Sequence, residues 1–173
     1  TMVYGFPGVT TEYITSYQLN HITSIIDPIR IAARTKRLDV WSKNMSASRD
    51  VFIKYTSKRA GVANGWKKWQ GELRGLKLNN VKGKKEAYEN KFQSWAVADE
   101  ELPYTDNLLA EMGARSVAVN ELIKTDEYIK EGVMGIELLA QNAVLDKMLQ
   151  LYRQGSSAEK LGDSVNKLVA STA

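Results

Sequence analysis

The chain has 173 residues, 43% hydrophobic and 25% charged, with a net charge of +4, one histidine and no cysteine. That balance fits one globular domain with its own core, and it excludes a disordered tail, disulfides, thiol nucleophiles and thiolate metal sites. No run approaches the roughly 18 to 20 apolar residues of a bilayer crossing, so no membrane partner is expected, and any secretion signal is expected outside this sequence.

In the opening TMVYGFPGVTTEY, Val3-Tyr4 reads as the end of a β-strand and Gly5 to Gly8 as a tight turn, yet no later segment is patterned as a strand partner. From Thr10 and Thr11, the spacing of Tyr13, Ile14, Tyr17, Ile22, Ile25 and Ile26 predicts an amphipathic helix. It should stop at Asp27-Pro28, where Asp caps and Pro opens a second helix that runs to about Asn44. Ser46 or Ser48 then caps a third helix of roughly 30 residues, ending near Leu78. Asn79-Asn80 breaks it, and Val81 to Ala98 forms a fourth helix with Ala87, Tyr88, Phe92, Trp95 and Ala96 inward. Asp99 to Pro103 reads as a linker. Helix resumes from Asp106 in two or three pieces, weak at Gly132 and Gly135, to near Tyr152, and a last helix follows from Ala158 to about Val169. The expected fold is all-α: an irregular multi-helix array or bundle of about six to eight helices. A short extended remnant, residues 1–8, precedes a single helical domain over 9–173.

Charge is unevenly spread. Residues 30–92 carry 17 Lys and Arg against 5 Asp and Glu, whereas residues 93–173 carry 7 against 13. Such a basic stretch can bind phosphates by releasing counterions, or can serve as a solvated face or a surface that docks an acidic neighbour.

The third helix holds an unusual run, RAGVANGWKKWQGELRGLK, with Gly61, Gly65, Gly71 and Gly75 inside it. Each interior glycine costs a helix about 1 kcal/mol relative to alanine, so some close approach of a backbone or ligand should compensate. Asn64 lies three residues after Gly61 on nearly the same face, and its amide offers both an acceptor and donors. A solvent-facing or local capping Asn is the plainer account, as is a core role for Trp66 and Trp69. His21 has no Ser and Asp that sequence places beside it, so it reads as a surface or packing residue. Gly162-Asp163-Ser164 is similar to the run around a trypsin-like nucleophile, but Val165 stands where glycine is needed, and Ser164 reads as a helix residue. Glu111, Glu121, Asp126 and Glu127 show neither metal-ligand spacing nor an acid-base pair. No catalytic residue, metal or cofactor is therefore assigned.

Two stretches together, GFPGVTTEYITS and KYTSKRAGVANGWKKWQGELRGLK, with DPIRIAARTKRLDVWSKNM between them, resemble the bacterial dipeptidyl-peptidase 7 and 11 type of serine exopeptidases. The resemblance covers about residues 2 to 100. It implies a chymotrypsin-like double β-barrel with a Ser-His-Asp triad, into which a large helical domain is inserted over the active site. It also implies release of dipeptides from free peptide N-termini in the periplasm or at the surface of Gram-negative bacteria, with a lean towards hydrophobic over acidic penultimate residues. In that family an asparagine of the helical domain helps bind the substrate α-amino group, and Asn64 matches it. Nothing here matches the triad. On this reading the chain is an inactive excised helical cap, residues 1–8 belong to the barrel that is its partner, and the parent is a possible homodimer that binds no nucleic acid. The alternatives are a basic helical nucleic-acid-binding module and a structural or adaptor module without substrate contact.

Overall fold

The computed structural model describes residues 13–98, 107–155, 157, 159 and 161–166, and every regular element among them is helical. The remnant at residues 1–8, the start at Thr10 and Thr11 and the linker at 99–103 lie outside the described residues. The chain divides into two compact units, residues 1–125 and 126–173.

The first unit opens with α1 (Ser16–His21), closed at its N-terminus by Thr15. The Thr15 hydroxyl accepts from Gln18 N at 3.2 Å while Gln18 Oε1 accepts from Thr15 N at 3.1 Å. This capping box satisfies two open amide donors, so Tyr13 and Ile14 precede the helix and do not form its first turn. The expected stop at Asp27-Pro28 does not occur. The chain passes through a π-helical turn, Ile22–Ile26, directly into α2 (Asp27–Ala47). Proline lacks a donor and crowds the carbonyl four residues back; in the wider π turn Asp27 N–H reaches Ile22 O, five residues back, which makes room for the ring. Asp27 is thus a buried residue inside the continuous helix, with Ile26 at the N-cap position.

Ser48 alone separates α2 from α3 (Arg49–Leu78), and its hydroxyl accepts from Val51 N at 3.4 Å. One extended residue reverses the chain, so α2 and α3 lie against each other as a hairpin, the most extensive helix contact of the unit. α3 has the predicted 30 residues. It ends at Asn79-Asn80, where Asn80 takes φ 45°, a left-handed conformation that asparagine tolerates.

α4 (Val81–Ala98) packs on α1 and α3. Its inward face is not the predicted one: Ala96 is buried and Phe92 half-buried, but Ala87, Tyr88 and Trp95 are exposed. The Glu89 carboxylate sets the rotation, accepting from Ser16 N at 2.6 Å and from Ser16 Oγ at 2.5 Å. That contact turns the row of Glu89, Phe92 and Ala96 towards α1 and leaves Tyr88 and Trp95 on the flank. α5 (Leu108–Ala118) also leans on α1, with Gly113 so close to Tyr17 that an added Cβ would lie 2.8 Å from the ring. Leu19, Ile29, Leu38, Met45 and Ala96 form the buried apolar set of this unit.

α6 (Asn120–Glu127) leads into a π-helical turn, Tyr128–Val133, and a short break containing Gly135 precedes α7 (Glu137–Arg153). The predicted weak points, Gly132 and Gly135, are therefore where the regular α-helix is lost. Gly155 at φ 75° turns the chain after α7, and residues 161–166 are helical again. Met148 is buried in this second unit. Among the described residues no helix is long and apolar enough to cross a membrane.

Replacing Glu89 with Ala removes both bonds to Ser16. Urea unfolding is expected to show a loss of about 1.5–3 kcal/mol, the range for bonds to a charged acceptor. An unchanged midpoint would mean that α1 docks on α4 without that carboxylate.

Candidate functional site

The candidate site lies on α3, and its geometry is set by how α2 holds that helix. Contacts step outward from the Ser48 reversal. Trp41 meets Tyr55 edge to face at 5.2 Å, and Arg59 Nε donates to Ser42 Oγ at 3.3 Å. Trp66 Nε1 donates to Thr35 Oγ1 at 2.8 Å, while Thr35 Oγ1 donates to Ile31 O at 2.7 Å. Arg34 and Arg30 stand over the Trp69 ring at 4.3 and 5.1 Å, and Arg34 Nη1 also donates to Val62 O at 3.4 Å. Trp66 and Trp69 are thus both engaged with α2, in agreement with the packing role that their spacing allows.

This arrangement explains one of the four interior glycines. A Cβ on Gly65 would collide with the Arg34 guanidinium, whereas Cβ atoms on Gly61, Gly71 and Gly75 would meet nothing within 4 Å. At Gly65 a side chain would make the Arg34 guanidinium shift from its present place. The other three are not required by any described packing of this chain.

Asn64 is on the far side of α3. At about 100° per residue it lies about 160° round the helix from Trp66, and it is exposed. Gly61, also exposed, shares its face with open space above it. Lys68, the next residue along this face, is tied to Glu72 at 3.9 Å. The Asn64 amide thus stands clear of bulky neighbours along the helix, able to accept from a cationic donor and to donate to a carbonyl.

The remaining candidates resolve into structural roles. His21 is buried in a helix contact, with Nε2 at 3.1 Å from Ser116 O and 2.9 Å from Ser116 Oγ. Ser116 is in the last turn of α5, where carbonyls lack intrahelical donors, so an imidazole N–H serves there as a cap. Sequence could not pair these two, since 95 residues separate them. Ser164 lies within helical residues 161–166. Glu111 pairs with Arg115 at 3.8 Å, Glu121 with Lys124 at 3.6 Å and Asp126 with Lys130, all one helical turn apart, and Glu127 is buried. Among the described residues no group of three or more His, Cys, Asp or Glu could hold a metal ion.

The described residues are helical, with Asn64 exposed on α3, and the sequence places the chain in a family. The chain belongs to the peptidase S46 family, whose model matches residues 1–171. It is 35% identical over 153 residues to an Asp/Glu-specific dipeptidyl-peptidase of Flavobacterium psychrophilum, a match covering 88% of this chain and 22% of that protein. It is 32% identical over 148 residues to a dipeptidyl-peptidase 7 of Phocaeicola vulgatus, covering 85% and 20%. A further Asp/Glu-specific dipeptidyl-peptidase, from Capnocytophaga gingivalis, matches at 42% over 92 residues. The chain thus spans about a fifth of the length of the first and second of these relatives. Two of these relatives are named for an Asp/Glu specificity and the third name states none.

The glycines provide a test of this geometry. Gly61→Ala and Gly71→Ala are each expected to stabilise the chain by about 0.5–1 kcal/mol, because alanine gains helix propensity and meets nothing. Gly65→Ala is expected to give no gain or a loss, since Arg34 must leave Trp69. Equal gains at all three positions in urea unfolding would contradict the Arg34 account.

Proposed function

We propose that this chain is the α-helical cap of a serine dipeptidyl-peptidase, working on a catalytic β-barrel of the same parent polypeptide. In the parent it restricts access to the free ends of short peptides, and Asn64 Oδ1 accepts a hydrogen bond from the substrate α-ammonium. Residues 1–8 are assigned to that barrel, and the periplasm or cell surface is the place of action. The triad belongs to the barrel, so the isolated chain releases no dipeptides. The observation that carries this reading is the contrast between Gly65, filled by Arg34, and Gly61, left open beside an exposed Asn64. Family membership supplies the dipeptidyl-peptidase relationship.

A hydrogen bond from an ammonium is worth about 1.5–3 kcal/mol, enough to enforce an exopeptidase register by penalising chains that lack a free amine. In the full-length parent, Asn64→Ala is expected to lower kcat/KM for dipeptide release by about ten-fold or more on that scale. An unchanged value removes Asn64 from the site. Robust dipeptide release by the isolated chain, blocked by a serine-directed inhibitor, would overturn the assignment of catalysis to the barrel.

A further inference from the structure

A second feature of the first unit is independent of Asn64. The start of α1, the end of α3 and the first half of α4 enclose a cleft of about 560 Å³, and Asn64 is not among the residues lining it. Its floor is apolar, made by Ile14, Leu19, Ile22, Leu76 and Val81. Ile22 is also the first residue of the π-helical turn, a distortion frequently found beside binding sites. A smaller hollow of about 160 Å³ shares Tyr13, Ile14, Lys85 and Tyr88 with the cleft and continues it towards Phe92 and Leu109. A volume of this size suits a ligand of small-molecule or short-peptide dimensions.

The polar groups around the cleft are unequal in sign. Glu72 on the wall is offset by Lys68 at 3.9 Å, and Glu89 in the adjoining hollow already accepts both bonds from Ser16. Lys84 and Lys85 stand on the α4 side, with Lys84 exposed. Lys68, Lys84 and Lys85 against Glu72 and Glu89 leave one excess positive charge around the two hollows, which favours an anion at the exposed Lys84, while the floor requires that the anion carry an apolar body. Tyr13 and Tyr88, both exposed, flank the opening with hydroxyls that can donate to and accept from peptide amides, which an acyl chain would leave unused.

The geometry points to this cleft as a binding site for the C-terminal end of a short apolar peptide, with its carboxylate at Lys84 and its side chains on Leu19, Leu76 and Val81. It is an exosite, separate from the amine-binding role of Asn64. It lies about 18 Å along α3 from that residue, counted from Asn64 to Leu76 at 1.5 Å per residue.

Backbone amide shifts of the isotope-labelled chain, titrated with N-acetyl-Leu-Phe, its C-terminal amide and laurate, test the assignment. The acetyl group removes the α-amine, so the outcome does not depend on Asn64. Saturable shifts are expected around Leu76, Val81, Lys84 and Tyr88, with the acid binding about ten-fold tighter than the amide. Lys84→Gln is expected to abolish most of that preference without weakening the amide, and Tyr88→Ala to weaken both several-fold; both positions are exposed, so the fold should survive. No saturable shift at these residues, equal binding of acid and amide, or tighter binding of laurate than of the dipeptide would each overturn the proposal. So would shifts at the cleft that depend on protein concentration without peptide, since a second copy would then be its occupant.

Discussion

The way α3 lies on α2 depends on the Arg34 guanidinium, which stands over the Trp69 ring, bonded to Val62 O and fitted against the bare backbone at Gly65. A planar cation suits this position because it offers a face to the ring and an edge to a carbonyl at once, which a lysine ammonium cannot do. Together with the Trp66–Thr35 bond, it fixes which side of α3 faces α2. By exclusion it also fixes which side is left for anything else. Asn64 is outward-facing because Trp66 and Trp69 are not.

Small apolar burial is consistent with that division of labour. α3 contributes no fully buried residue, so its attachment to α2 relies on half-buried aromatic, cation and hydroxyl contacts along its length. Such a helix presents a long surface at little cost to the core. Three of its glycines lower helix propensity without any packing return inside the described structure, a local inconsistency of the kind expected where function constrains sequence.

Much of the helical order was legible because its signals are local. Ser48 caps, Asn79-Asn80 breaks and a proline-free run between them fixes α3 to its observed ends. The all-α class followed from the same kind of periodicity. What failed was also physical. Asp27-Pro28 obeys the rule for a helix start, but a π turn accommodates the ring and keeps the helix continuous, an option that residue type does not reveal. The inward face of α4 was misjudged because its rotation is set by Glu89 reaching Ser16, a contact across 73 positions. Likewise the four glycines look equivalent in sequence. Only the structure separates Gly65, against which Arg34 packs, from Gly61, which has open space above it. Asn64 is singled out by resemblance and by its neighbouring glycines; its exposed position opposite Trp66, and the Arg34 contact beside it, come only from the structure.

The central claim is that the outward face of α3 recognises a free amine, and the most direct measurement is a ratio. In the full-length parent, kcat/KM would be compared for a dipeptidyl substrate and its analogue lacking the α-amine, with Asn64 intact and as Asn64→Ala. The account predicts a large preference for the amine in the native enzyme that shrinks by about ten-fold in the variant, in line with one charge-assisted hydrogen bond. A preference unchanged by the substitution would contradict it.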